Sequence, residues 1–114
     1  MSFSQQIINQ VWNKAYFVDS TNEANGYRKD QCGAWIQKNA YGNRNDKYGW
    51  EIDHITPKSN GGTDQLSNLR PLHWGNNAAR QNGRLNTNRP AVRANGTKNE
   101  KLTQATLGEV YFEM

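Results

Sequence analysis

The sequence predicts a small single domain of the α+β class. Three observations lead there: a helical apolar stripe near the N-terminus, a strand–loop–strand–helix run between Trp50 and Gln81, and a composition too aromatic for disorder. At 114 residues the chain has the size of one domain. Only 34% of it is hydrophobic, yet it carries four Trp, five Tyr and three Phe, each able to bury a large area. Disorder goes with few aromatics and a high net charge, whereas the formal charge here is only +4. The expectation is one unit spanning 1–114 around a small aromatic core.

The helix is read from Ile7, Ile8, Val11, Trp12, Ala15 and Tyr16, which line one face after a Ser4 N-cap, so an amphipathic helix is expected from Gln5 to Tyr16. Residues 19–26 (DSTNEANG) read as a loop. Ala34–Ile36 suggests a short strand, part of one hairpin between Tyr27 and Trp50, with YGNRNDKYG as a turn. Trp50–Ile55 is expected to be a strand that Pro57 ends. Its period of two puts Asp53 and His54 on opposite faces. Both can then reach one phosphate only if the backbone bends near Ile55–Pro57.

The stretch KSNGGTDQ is a loop, and Leu66–Leu72 is a second strand stopped by Pro71. A helix from about Gly75 to Gln81 follows, with Asn76 or Asn77 at its first turn and a stop before Gly83. Residues 82–99 read as an extended arm, and the terminal LGEVYFEM as a last strand.

Composition excludes several classes. A single cysteine, Cys32, makes neither an internal disulfide nor a four-sulfur zinc site. There is no apolar run of membrane-spanning length, and the N-terminus lacks the pattern of a signal peptide, so the expectation is a cytoplasmic protein without a membrane partner. The charge is uneven. Residues 1–69 hold seven Lys or Arg against seven Asp or Glu, whereas residues 70–114 hold seven basic residues, five of them arginine, against three acidic ones. A basic strip of this kind is an electrostatic footprint for nucleic acid.

Hydrolysing a phosphodiester needs an activated water, a cation to offset charge on the phosphate, and a scaffold holding both. Asp53 offers a hard oxygen ligand, and His54 an imidazole, the side-chain type suited to accepting a proton from water near neutral pH. Asn77 offers an amide oxygen that would complete a two-ligand seat of the kind Mg²⁺ accepts. Asn77 also suits a helix N-cap, and Asn76 beside it could exchange roles with it. Glu51 is expected at a solvent-facing strand position, with the outer shell of a metal as the alternative.

The segment GWEIDHITPKSNGGTDQLSNLRPLHWGNNAAR resembles the signature of the HNH endonuclease family: Asp-His followed by Pro, a Gly61-Gly62 loop, Asn68-Leu69 at 14 residues after His54, and Asn77 a further 9 on. The likeness covers about 30 of the 114 residues, with a motif core at 49–83 and a basic arm at 84–101. It implies a ββα-metal fold and a DNA endonuclease. Asp53 and Asn77 would bind one divalent ion, Mg²⁺ with Mn²⁺ or Ni²⁺ able to substitute. His54 would be the general base and Asn68 would hold the active-site loop. Arg80, where family members often carry Lys, would contact phosphate, and Arg84, Arg89, Arg93 and Lys58 complete the expected nucleic-acid contacts, DNA being favoured over RNA.

The chain departs from the family in one respect. The paired CxxC cysteines that often hold a structural zinc are missing: Cys32 is alone, and His73 and Asn76 stand where the second pair would fall. No structural zinc is expected, and packing of Trp35, Trp50 and Trp74 is expected to hold the region instead. His73 is an additional candidate for metal or phosphate. Two rival readings are a toxin nuclease neutralised by an immunity partner and a non-cleaving nucleic-acid-binding module. A site-specific role would need a homodimer or a protein partner.

Overall fold

The computed structural model describes residues 2–81 and 83–102. In chain order it contains α1 (Gln5–Trp12), α2 (Ser20–Ala24), β1 (Tyr27–Lys29), β2 (Trp35–Gln37), β3 (Trp50–His54), β4 (Leu69–His73), α3 (Trp74–Arg80), β5 (Val92–Asn95) and β6 (Lys98–Lys101). The strands form three antiparallel pairs, β1–β2, β3–β4 and β5–β6. This is the α+β mixture the sequence predicts. Among the described residues no helix is long and apolar enough to cross a membrane.

α1 begins where expected, with the Ser4 side chain accepting from the Ile7 N–H. It ends at Trp12, one turn short of the predicted Tyr16, which instead bridges to Lys29 beside β1. Val11, Trp12 and Ala15 pack with Ile36, Trp50, Ile52 and Leu69 to make the core. The Trp12 and Trp50 rings lie 5.3 Å apart, and Tyr41 meets Trp50 edge-on at 4.9 Å. The N-terminal helix thus seals one face of the β3–β4 hairpin, and the Lys14 ammonium ties the two together by donating to the carbonyls of Leu66 and Leu69.

Three sequence expectations need correction. The loop expected at 19–26 holds α2, because the Asp19 side chain accepts from the Asn22 N–H and nucleates a turn. Pro71 does not stop the second strand. Ile55 N–H donates to the Asn68 carbonyl, and the antiparallel alternation from that bond puts Pro71, opposite Ile52, in a pair that exchanges no hydrogen bonds. Its missing N–H therefore costs the ladder nothing. Finally, the extended arm expected over 82–99 closes in part as the β5–β6 hairpin, around a two-residue turn opened by Gly96 at φ 64°. The strand expected in the terminal LGEVYFEM lies outside the described residues.

The junction between β4 and α3 is held by a buried hydrogen-bond hub. The Asp30 carboxylate, 1% exposed, accepts from the N–H groups of Cys32, Ala34 and His73 and from the Asn76 side-chain amide, at 3.0, 2.9, 2.9 and 3.0 Å respectively. Asn76 extends the hub to β5, donating to the Val92 carbonyl and accepting from the Val92 N–H. Cys32 and its two sequence counterparts, His73 and Asn76, thus meet around a carboxylate. Burial pushes the Cys32 thiol up to about 12, so it stays protonated at neutral pH. Of the tryptophans expected to hold this region, Trp50 is fully buried, whereas Trp35 and Trp74 anchor through their indole N–H groups, to the Gly96 and Asp46 carbonyls.

Candidate active site

The site sits where β3 ends and α3 crosses it. Glu51 and Asp53, two apart on β3, share one strand face. α3 lies against that face and carries Asn77 and Arg80, three apart and therefore neighbours on the helix surface. The two spacings match, so the elements meet in two rungs. Asn77 Nδ2 donates to Glu51 Oε1 at 2.9 Å, and Arg80 Nη1 donates to Asp53 Oδ1 and Oδ2 at 2.9 and 2.7 Å. Arg70, paired with Asp53 across the sheet, gives that carboxylate a second cation at 2.7 Å.

β3 ends at His54, and the chain bends before Pro57. Asp53, His54 and Asn77 consequently line one cleft of about 460 Å³, with Arg44, Lys58 and Arg80 among the other lining residues. His54 Nε2 lies 2.6 Å from Asp64 Oδ1. A carboxylate only accepts hydrogen bonds, so it places the imidazole proton on Nε2 and leaves the Nδ1 lone pair as the basic one. The hydrogen bonds from His54 and Lys58 hold the Asp64 carboxyl below its ordinary range, so it is ionised at neutral pH. Phe3 stands against the His54 ring with centroids 6.0 Å apart.

The loop between the strands is held by Asn68. Its Oδ1 accepts from the Thr56 N–H, and its Nδ2 donates to the carbonyls of Thr56 and Thr63, at 2.8, 3.0 and 2.8 Å. The close approach that results explains the second glycine of the loop: a Cβ on Gly62 would fall 1.7 Å from the Thr56 carbonyl oxygen. Asn68→Ala removes all three bonds beside His54 and Asp64. If the site cleaves DNA as the resemblance implies, the expected outcome is a kcat lower by about 10²-fold with KM nearly unchanged, measured by steady-state kinetics, because the loss is one of positioning.

The other candidates occupy different settings. Both His73 ring nitrogens are engaged: Nδ1 accepts from the Gly75 N–H at 3.0 Å, capping α3, and Nε2 reaches the Lys47 carbonyl at 2.8 Å. The helix cap expected from Asn76 or Asn77 is therefore His73, which frees Asn76 for the hub and Asn77 for the cleft. Burial pushes the His73 pKa down, favouring the neutral ring that a cap requires. Arg80 is buried on Asp53 rather than displayed on the surface, whereas Arg84, Arg89 and Arg93 are exposed. Arg84 lines a second cleft with Arg70, and Arg80 and Pro57 line both.

Sequence reasoning missed Asp64 as the partner of His54 and Asp30 as the centre of the hub. It placed Glu51 on solvent, yet Glu51 joins Asn77 to Arg44, which donates to its carboxylate at 2.7 and 2.9 Å. Asp30 and Glu51 meet partners 26 to 46 residues away, and His54 meets Asp64 and Glu51 meets Arg44 only across loops, so no local pattern marks these pairings.

In its donors the site suits a hard divalent cation. Asp53 and Asn77 both line the cleft, and no donor among the described residues takes Asn77 Oδ1. Two protein ligands leave room for water and phosphate, and among the described residues no cluster of three or more His, Cys, Asp or Glu forms a closed metal cage. The Arg80 guanidinium holds the place on Asp53, so an ion bound there must draw the carboxylate away from it.

No curated protein and no solved structure matches the chain. Residues 32–82 match the family model of the HNH endonucleases. That span runs from Cys32 through β3, the Asn68 loop and β4 to the end of α3, and so contains the whole cleft constellation. Residues 32–82 are thus similar to an HNH endonuclease domain, in a form with one cysteine in place of the paired CxxC motifs.

Proposed function

We propose that the protein is a DNA endonuclease in which Asp53 and Asn77 seat one divalent ion, Mg²⁺ or Mn²⁺, and His54 is the general base. The observation that carries this reading is the shared cleft of Asp53, His54 and Asn77, with Asp64 fixing the imidazole so that Nδ1 is the free base. An ion held by Asp53 and Asn77 would offset charge on the phosphate and on the leaving oxygen. His54 Nδ1 takes the proton of the attacking water as the oxygen approaches phosphorus, and Asp64 stabilises the imidazolium that forms. Asn68 keeps the His54–Asp64 loop in register with β3. Lys58 and Arg44 at the cleft, with Arg84 beyond it, supply positive charge along the path of the backbone. Cleavage in this sense leaves 5′-phosphate and 3′-hydroxyl ends.

The test is incubation of supercoiled plasmid with the protein in Mg²⁺, Mn²⁺, Ni²⁺ or Zn²⁺, with and without chelator. Nicked or linear DNA formed with Mg²⁺ or Mn²⁺ and suppressed by chelator is expected. Intact plasmid with every ion, or cutting that a chelator leaves unchanged, would overturn the reading.

A further inference from the structure

The Glu51 carboxylate lies outside the lining of the cleft and faces the back of Asn77. Asn77 can serve a cation only if its amide presents oxygen to the cleft, and an amide is nearly isosteric on turning over. The turned amide would offer two N–H donors to the ion instead. The Glu51 oxygens lack any donor, so they accept from Nδ2 at 2.9 Å and thereby send Oδ1 the other way. Arg44 holds the Glu51 carboxylate from the other side, its guanidinium donating to Oε2 and Oε1 at 2.7 and 2.9 Å. The Glu51 side chain is 20% exposed, and its bidentate partner fixes its rotamer.

We infer that Glu51 is a positioning residue that sets the amide orientation of Asn77, with Arg44 as its anchor, so that an oxygen rather than an N–H group faces the metal seat. The inference rests on the assignment of Asp53 and Asn77 as metal ligands proposed above. It gives Arg44 a role apart from phosphate contact, and it distinguishes Glu51 from Asp53 on the same strand face: one carboxylate touches the seat and the other acts through Asn77.

The test measures Mn²⁺ binding to the full chain, by calorimetry and by the electron paramagnetic resonance signal of free Mn²⁺, for the parent, Glu51→Gln, and the double variant Glu51→Gln with Asn77→Asp. A glutamine amide in place of the carboxylate can meet Asn77 in either orientation, so Glu51→Gln is expected to weaken Mn²⁺ binding by about tenfold or more, as for other residues that orient a metal ligand. In the double variant the introduced glutamine donates to one oxygen of the introduced aspartate, whose other oxygen faces the seat. Net charge is then that of the parent, and affinity returns to within about threefold of it. Each measurement is repeated at about 0.5 M NaCl, which screens an exposed-charge effect but leaves an amide orientation unchanged.

Melting curves show that each variant is folded, and Glu51→Ala, which leaves Asn77 Nδ2 without its acceptor and is expected to lose Mn²⁺ affinity likewise, replaces Glu51→Gln if that variant is not. Parent-like affinity of Glu51→Gln overturns the orienting role while leaving the metal assignment in place. So does a loss that vanishes at high salt, or one the double variant does not repair. A parent protein that binds no Mn²⁺ overturns the metal assignment and the orienting role with it.

Discussion

His54→Ala is expected to lower kcat for plasmid cleavage by about 10²–10⁴-fold, the usual worth of a positioned general base. Among the described residues the alanine leaves no group in the cleft free to take the proton from water, since Asp53 is engaged by Arg70 and the proposed ion and Asp64 loses its link to the reacting centre. DNA affinity, measured by fluorescence anisotropy in chelator at fixed salt, should stay within about twofold of the parent, because phosphate contacts by Lys and Arg carry most of the affinity. Asp64→Asn separates orientation from chemistry. Its amide can turn N–H groups toward Nε2, which shifts the imidazole proton to Nδ1 and removes the basic lone pair from the cleft. Its rate should fall between those of the parent and His54→Ala. Parent-like cleavage by His54→Ala in Mg²⁺ or Mn²⁺ would exclude His54 as the base.

The residues that were legible in the sequence are those whose signal is local. The Ser4 cap and the stripe from Ile7 to Trp12 obey a 3.6-residue period, and Asp53, His54, Asn68 and Asn77 sit at fixed spacings within one strand–loop–strand–helix run. Two further signals were present and outweighed by composition. Asp19 followed by Ser, Thr, Asn and Glu is a helix start inside a turn-rich stretch, and Asn95-Gly96 marks a hairpin inside an Arg- and Asn-rich one.

The rest depends on contacts that sequence order hides. Glu51 meets Asn77 only because α3 packs on β3, and Pro71 is tolerated only because the register puts it in a non-bonded pair. Asp30 reaches His73 and Asn76 across more than forty residues, and nothing near it announces a hub. A buried polar centre of this kind is legible only once every partner has been placed.

Asp30→Ala is therefore the substitution with the largest expected effect on stability. It deletes an acceptor for four hydrogen bonds and leaves the N–H groups of Cys32, Ala34 and His73 buried without a partner, each at a cost of about 1–3 kcal/mol. A total of about 4 kcal/mol or more takes up much of the stability of a domain this size and corresponds to a fall in Tm of about 15 °C or more in thermal denaturation. Asp30→Asn is instructive because its shape is nearly the same. One amide oxygen still serves either the Cys32 and Ala34 pair or the His73 and Asn76 pair, but its NH₂ group then confronts two donors, so it should recover only part of the loss. The damage should also reach the active site. His73 caps α3 and Asn76 ties it to β5, so loosening the hub frees the helix that carries Asn77 and Arg80. Below its own Tm the Asp30→Ala protein should consequently bind Mn²⁺ more weakly than the parent. A Tm within a few degrees of the parent would show that the helix is held by its packing on β3 and β4 and not by the carboxylate.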